Sequence, residues 1–234
     1  MTTRLPPLLD RAILFAHRGA RSASREQAIE GVSSAVRQGA TGVHAQAWPT
    51  GDGVVVIDSS GVVRRFPRRR IADATHASLS DSFATLEDFF DAVEPVPLLL
   101  AGAEHAIDRI IAVARERDAV DRLWLVHDDL DVLSGWRDLA PEARLVNRTS
   151  VADLPLGPER RAAELAAATI DAVVMPEGDW SGGMVTLFHR FDVAAFADGA
   201  NFERQLARLI DMGIDGVSGD HPARMAAVAA TFVD

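Results

Sequence analysis

The sequence predicts a closed (β/α)8 barrel, an α/β TIM barrel, built as a single domain over residues 1–234. Three observations point there. Apolar runs of strand length alternate with longer stretches of helical period from residue 13 to residue 218, the pattern of strand–helix units in a parallel sheet. No Pro/Ser-rich linker interrupts that series, and 234 residues suit one large domain. Apolar residues make up 48% of the chain, enough for a sizeable core. An open doubly wound sheet is the alternative, but nothing here resembles its glycine-rich nucleotide fingerprint.

The elements follow in order. Residues 13–16 form a short apolar strand ending at His17. Residues 25–38 are helical, with Ile29, Val32 and Val36 on one stripe and Gly39 as the stop. Residues 42–48 form a second strand. A Gly51-Asp52-Gly53 turn then leads into the β-branched run at 54–57. Thr85 caps a helix over 85–93, with Glu87 and Asp88 in its first turn. Further strands are expected at 98–100, 123–126, 144–146, 170–175, 193–196 and 213–218, and helices at 104–117, 158–169 and 201–212. Residues 179–183, DWSGG, suggest a mobile loop over the barrel mouth, with Trp180 as a lid or interface anchor.

Composition narrows the function. The net charge is −10, from 24 basic and 34 acidic residues. That argues against a nucleic-acid-binding surface. The local exception is residues 64–70, RRFPRRR, read as a solvated loop or as attraction for an anionic substrate or partner. The chain has no cysteine, so thiol catalysis and thiolate metal sites are excluded. No transmembrane segment is evident, and residues 1–11 lack the apolar stretch of a signal peptide. A cytoplasmic location is the expectation. The oligomeric state is not legible.

The chemistry-bearing residues cluster near the start. HRG at 17–19, Glu26, Gly39-Ala40 and the Asp52-Gly53 turn are followed near the end by GIDGVSGDHP at 213–222. Between them lies ATLEDFF at 84–90. This order resembles the glycerophosphodiester phosphodiesterase family, which reads HRG, PENT, GADGIELDV, TKDG, VVIHD, PTLEELF and GVDGIITDRP. The resemblance runs from about residue 17 to 222, and only in rhythm from about 105 to 190. It implies a TIM barrel of the phospholipase-C-like phosphodiesterase type, acting in glycerophosphodiester or lipid head-group metabolism. It further implies a Mg²⁺- or Ca²⁺-assisted phosphodiester hydrolysis with two histidines as acid and base.

Carried over position by position, the resemblance makes His17 the catalytic acid or base and Arg18 a catalytic, substrate-holding residue. His17 exchanges a proton near neutral pH, and Arg18 offers a planar fork of donors to phosphate. Glu26 matches the Glu of PENT and would hold the first loop, or is simply favoured by the helix dipole. The metal-binding Glu and Asp fall on His44 and Gln46, the third carboxylate on Ala101, and the second histidine on Ser59. His44 then becomes a substrate-binding candidate, and Phe196 another, as an apolar wall or a core residue. Hard cations need carboxylate oxygens, so no cofactor is expected and the family reaction is expected to be weak or lost, a pseudoenzyme.

Three readings stay open: a divergent phosphodiesterase, a non-catalytic barrel binding a small phosphorylated molecule or a protein partner, and a metal-free His17–His44 acid/base pair. A transition-metal site on His17 and His44 would want a third ligand from Asp220, His127 or Glu177. Asp128 or Asp129 is expected to cap the helix after the fifth strand.

Overall fold

The computed structural model describes residues 7–17, 24–63, 68–79, 82–93, 95–102, 104 and 106–232. The chain opens with β1 (Ile13–His17), α1 (Arg25–Arg37), β2 (Gly42–Pro49) and β3 (Val55–Ile57). A two-stranded ribbon follows, β4 (Val62–Val63) and β5 (Arg69–Arg70). Strand–helix units then run α2 (Leu86–Val93), β6 (Leu98–Ala101), α3 (Ile107–Glu116), β7 (Leu123–His127), α4 (Leu130–Leu139), β8 (Arg144–Arg148) and α5 (Pro158–Ala167). The chain ends with β9 (Ala172–Pro176), α6 (Gly182–His189), β10 (Ala194–Asp198), α7 (Glu203–Met212), β11 (Gly216–Gly219) and α8 (Pro222–Ala230).

Eight parallel strands close on themselves in the order β1, β2, β6, β7, β8, β9, β10, β11. β1 makes the closure by pairing with β11 on one side and β2 on the other. The short β3 adds antiparallel to the end of β2. The expected (β/α)8 barrel is the observed one.

Strand side chains alternate, and each face has its own core. Phe15, Leu99, Trp124, Val126, Val146, Val174 and Phe196 fill the interior. Val43, Leu98, Leu125, Leu145, Val173 and Val217 pack outward against the helices. Gly42 and Gly216 make room for the interior aromatics. A Cβ at Gly42 would lie 2.6 Å from the Phe15 ring, and one at Gly216 2.7 Å from the Phe196 ring.

Thr85 caps α2 reciprocally: its Oγ1 accepts from the Asp88 amide at 3.1 Å, and its amide donates to Asp88 Oδ2 at 2.9 Å. Asp129 caps α4, accepting from the amides of Asp131 and Val132. This α4 is the helix expected after the fifth strand, while α6 and α8 go beyond the sequence expectation. The loop expected at 179–183 is corrected: Gly182 and Gly183 begin α6, capped by Ser181. Trp180 is no lid. It is 2% exposed, packs edge-on against Phe188, and donates from Nε1 to the Phe196 carbonyl at 2.9 Å.

A buried His–Asp hydrogen bond lies near the opposite end of the barrel. His189 Nε2 meets Asp215 Oδ2 at 2.6 Å, with side chains 1% and 0% exposed. Asp215 also accepts from the amides of Ala195, Leu8 and Leu9. It thereby stitches β10, α6 and the entry to β1 together.

Candidate functional site at the barrel mouth

Parallel strands of this fold present their C-terminal ends at one rim, where side chains can converge on a ligand. His17 ends β1, and strand register sets it beside His44 of β2. Their rings stack with centroids 4.7 Å apart and planes 24° from parallel. His17 Nδ1 lies 3.6 Å from Asp220 Oδ1. His44 Nδ1 lies 2.8 Å from Ser218 Oγ and 3.9 Å from Asp198 Oδ1.

The two histidines occupy different settings. The His17 side chain is 45% exposed, that of His44 only 13%. Burial, reinforced by the charge of His17, pulls the His44 imidazole down to about 4; Asp198 opposes and Arg148 adds. His44 is therefore neutral at neutral pH, able to accept or donate one hydrogen bond on each ring nitrogen according to its tautomer.

That depression has a stability consequence of definite sign. An unfolded histidine titrates near 6.5, so between about 6.5 and about 4 the unfolded chain binds the extra proton. The contribution is fully present above pH 6.5 and is lost as pH falls toward 4. It amounts to about 3 kcal/mol at most. Urea unfolding of the protein and of His44→Gln across pH 4–7 checks this: the fall in stability should be shallower in the variant.

Next to the histidines lies a cavity of 560 Å³. Leu99, Val126 and Val174 form its apolar floor, and Arg148, Ser150 and Asp198 are among its polar walls. Arg148 is held there by Asp128, at 2.6 Å from Nε to Oδ1 and 3.2 Å from Nη2 to Oδ2. Asp128 takes the Nε/Nη2 edge, which leaves the outer Nη1/Nη2 edge of the guanidinium to offer paired donors to a carboxylate or phosphate.

The positions implied as metal ligands also sit at this rim. Gln46 and Ala101 are register partners on β2 and β6, two residues above the level of His44. His44 is engaged with Ser218, Gln46 is an uncharged amide, and Ala101 offers no donor. Among the described residues no group of three or more His, Asp or Glu side chains could hold a metal ion. The donor set does not fit Mg²⁺ or Ca²⁺, which bind carboxylate-rich oxygen shells. The third ligands considered for a transition metal are mostly employed elsewhere. Glu177 pairs with Arg208, and His127 Nδ1 accepts from the Asp129 amide. Near-parallel stacking also directs the in-plane lone pairs of His17 and His44 away from a common point.

The remaining candidates are distributed as follows. Arg18 lies outside the described residues. Glu26 is exposed on the first turn of α1, its carboxyl held low by backbone and Ser24 hydrogen bonds, as a helix N-terminus favours. Phe196 is 1% exposed beneath the mouth, between Phe15 and Trp124 at ring distances of 5.5 and 5.0 Å. Asp58, beside Ser59, is consumed by the turn, accepting from Ser60 N, Ser60 Oγ and Gly61 N. Arg148, Asp198 and Ser218 went unnoticed as site residues. Arg148 and Asp198 each sit two residues beyond the apolar stretch that marked their strands, on the inward phase, and that period-2 continuation was the available signal.

No protein-family model matches the chain, and no curated protein matches it. Solved structures do. A phosphodiesterase from Oleispira antarctica, in complex with the product sn-glycerol-3-phosphate, superposes with TM-score 0.77 at 18% identity, over 93% of this chain and 96% of that one. A glycerophosphodiester phosphodiesterase from Parabacteroides distasonis gives 0.78 at 15% identity, over 96% and 99%. One from Thermotoga maritima gives 0.74 at 18%, over 92% and 97%. At these identities the likeness is one of fold: the chain has the barrel of the glycerophosphodiester phosphodiesterases over nearly its whole length.

Proposed function

We propose that this chain is a divergent member of the glycerophosphodiester phosphodiesterase family that binds a small phosphorylated molecule at its barrel mouth and has lost, or nearly lost, the metal-dependent hydrolysis. The observation that carries the reading is the neutral trio His44, Gln46 and Ala101, placed side by side where hard-cation chemistry would need carboxylates. The mouth keeps groups suited to a phosphorylated ligand: His17, the Arg148 fork and a 560 Å³ cavity with an apolar floor. The glycerol-phosphate product held by the Oleispira antarctica relative supports this ligand class.

Hydrolysis of glycerophosphocholine and of bis-p-nitrophenyl phosphate, with Mg²⁺, Ca²⁺, Mn²⁺ or Zn²⁺ added, tests the loss. The expected result is no turnover above a His17→Ala control. Metal-dependent turnover that His17→Ala abolishes would overturn the reading. One observation favours a second reading, metal-free acid/base work: the His17 and His44 rings stack with centroids 4.7 Å apart, so their in-plane nitrogens can serve two different atoms of one substrate, one as acid and one as base. Its signature would be turnover in EDTA that disappears in both His17→Ala and His44→Ala.

A further inference from the structure

The C-terminal face of the barrel carries two exposed features that ligand binding does not use. The first is cationic. Arg68, Arg69 and Arg70 are consecutive and exposed at the β4–β5 ribbon, Arg70 by 75% of its side chain. This ribbon belongs to a small lobe built on the outer end of β2. There Trp48 packs against Val56, Ile71, Ala74 and Leu79, and a Cβ at Gly61 would touch its indole. Asp73 is the acidic side chain paired with Arg70, and its carbonyl also accepts from Arg69. The other acids of this lobe, Asp52 and Asp58, are tied to turn groups at His76, Thr50, Ser60 and Gly61, which leaves the three arginines as a consecutive cationic strip on a chain of net charge −10.

The second feature is apolar. Leu156 is 70% exposed, Phe202 67% and Val151 46%. Val151 and Leu156 lie on the β8–α5 loop and Phe202 on the β10–α7 loop, all at the C-terminal ends of strands. The loops are anchored: the Val151 amide donates to Asp179, and the Phe202 amide donates to Gln205. Among the described residues the other exposed large apolar side chains, Leu8, Leu139 and Phe232, are less exposed, at 40–44%, and lie at the opposite end.

Strand order sets the geometry. β2 and β9 stand four places apart in a ring of eight, and β8 and β10 flank β9. The arginine ribbon and the apolar loops therefore face one another across the mouth. Apolar side chains isolated on separate loops make a poor protein interface, which wants a contiguous patch. Beside a cation cluster they suit shallow insertion between lipid head groups. We propose that this face docks on an anionic lipid surface, with the arginine ribbon and the loops of Val151, Leu156 and Phe202 in contact and the mouth turned toward the lipid.

Sedimentation with phosphatidylcholine vesicles, pure or containing 30% phosphatidylglycerol, tests this with the full chain. Binding should require the anionic lipid and weaken steeply with salt. Each arginine is worth about fivefold, so Arg68→Gln/Arg69→Gln/Arg70→Gln should lower vesicle affinity roughly 100-fold. Leu156→Ser/Phe202→Ser should lower it about tenfold or more. Neither variant should alter sn-glycerol 3-phosphate binding or the unfolding temperature, so failure here is distinguishable from failure of the ligand reading. No binding to anionic vesicles at low salt would overturn the proposal. So would binding indifferent to both variants, or capture of RNA by the arginine face in place of vesicles.

Discussion

Asp215→Ala should cost about 3–5 kcal/mol of unfolding free energy, measured by urea denaturation at pH 7. Asp215 is fully buried and accepts from His189 and from the amides of Ala195, Leu8 and Leu9. Alanine removes every one of those acceptors at once. It leaves His189 buried with no partner on Nε2, and its Nδ1 already has none. Buried polar groups without partners carry their full desolvation cost. The amides of Leu8 and Leu9 are partly buried and can turn to water, so the β10 amide and the imidazole dominate. Because the pair lies away from the mouth, ligand affinity at temperatures where the variant stays folded should be unchanged. A loss below 1 kcal/mol would show that the pair is an ornament of the fold.

The second large effect is a gain. Grafting carboxylates back as His44→Glu/Gln46→Asp/Ala101→Glu should create Ca²⁺ binding that the natural chain lacks. Period-2 geometry aims the first two side chains inward from β2, and register sets the third beside them on β6. Without metal the variant should be less stable than its parent. Ala101 is 2% exposed, and uncompensated like charges in a confined site raise their own ionisation cost. With Ca²⁺ at a hundred times a Kd of about 0.1 mM, binding should return about 2.7 kcal/mol. The natural chain should show no Ca²⁺-dependent thermal shift. A shift in the natural chain, reversed by EDTA, would mean that a cation binds through ligands other than these three.

Much of the fold was legible because local signals agreed. The β-branched 54–57 run, the Thr85 cap and the alternation of apolar strands with stripe-bearing helices each pointed to the element that forms. The helices α4, α6 and α8 were less visible. Gly182-Gly183 at the start of α6 reads as a loop, and Gly135 and Gly-free but Ala-rich α8 give weak apolar stripes. Trp180 looked like a lid because its flanks are polar and small, while its burial depends on Phe188 and a carbonyl of β10.

The site was legible in part for a similar reason. His17 and His44 stand out on their strands, and the closure of β1 onto β2 brings them together. Their partners come from far along the chain. Ser218 is 174 residues from His44, and no local pattern links them. Arg148 acquires its place from Asp128, one residue past the end of the neighbouring strand β7. The low proton affinity of His44 follows from burial beneath the rim, which only the assembled barrel creates.

The mouth should bind a phosphorylated ligand without a divalent cation. Isothermal titration of sn-glycerol 3-phosphate into the natural chain, once in EDTA and once in Mg²⁺ or Ca²⁺, tests it most directly. The affinity should be the same in both buffers, and Arg148→Ala should lower it at least tenfold. Binding that appears only with the cation would contradict this expectation, and so would no binding in either buffer.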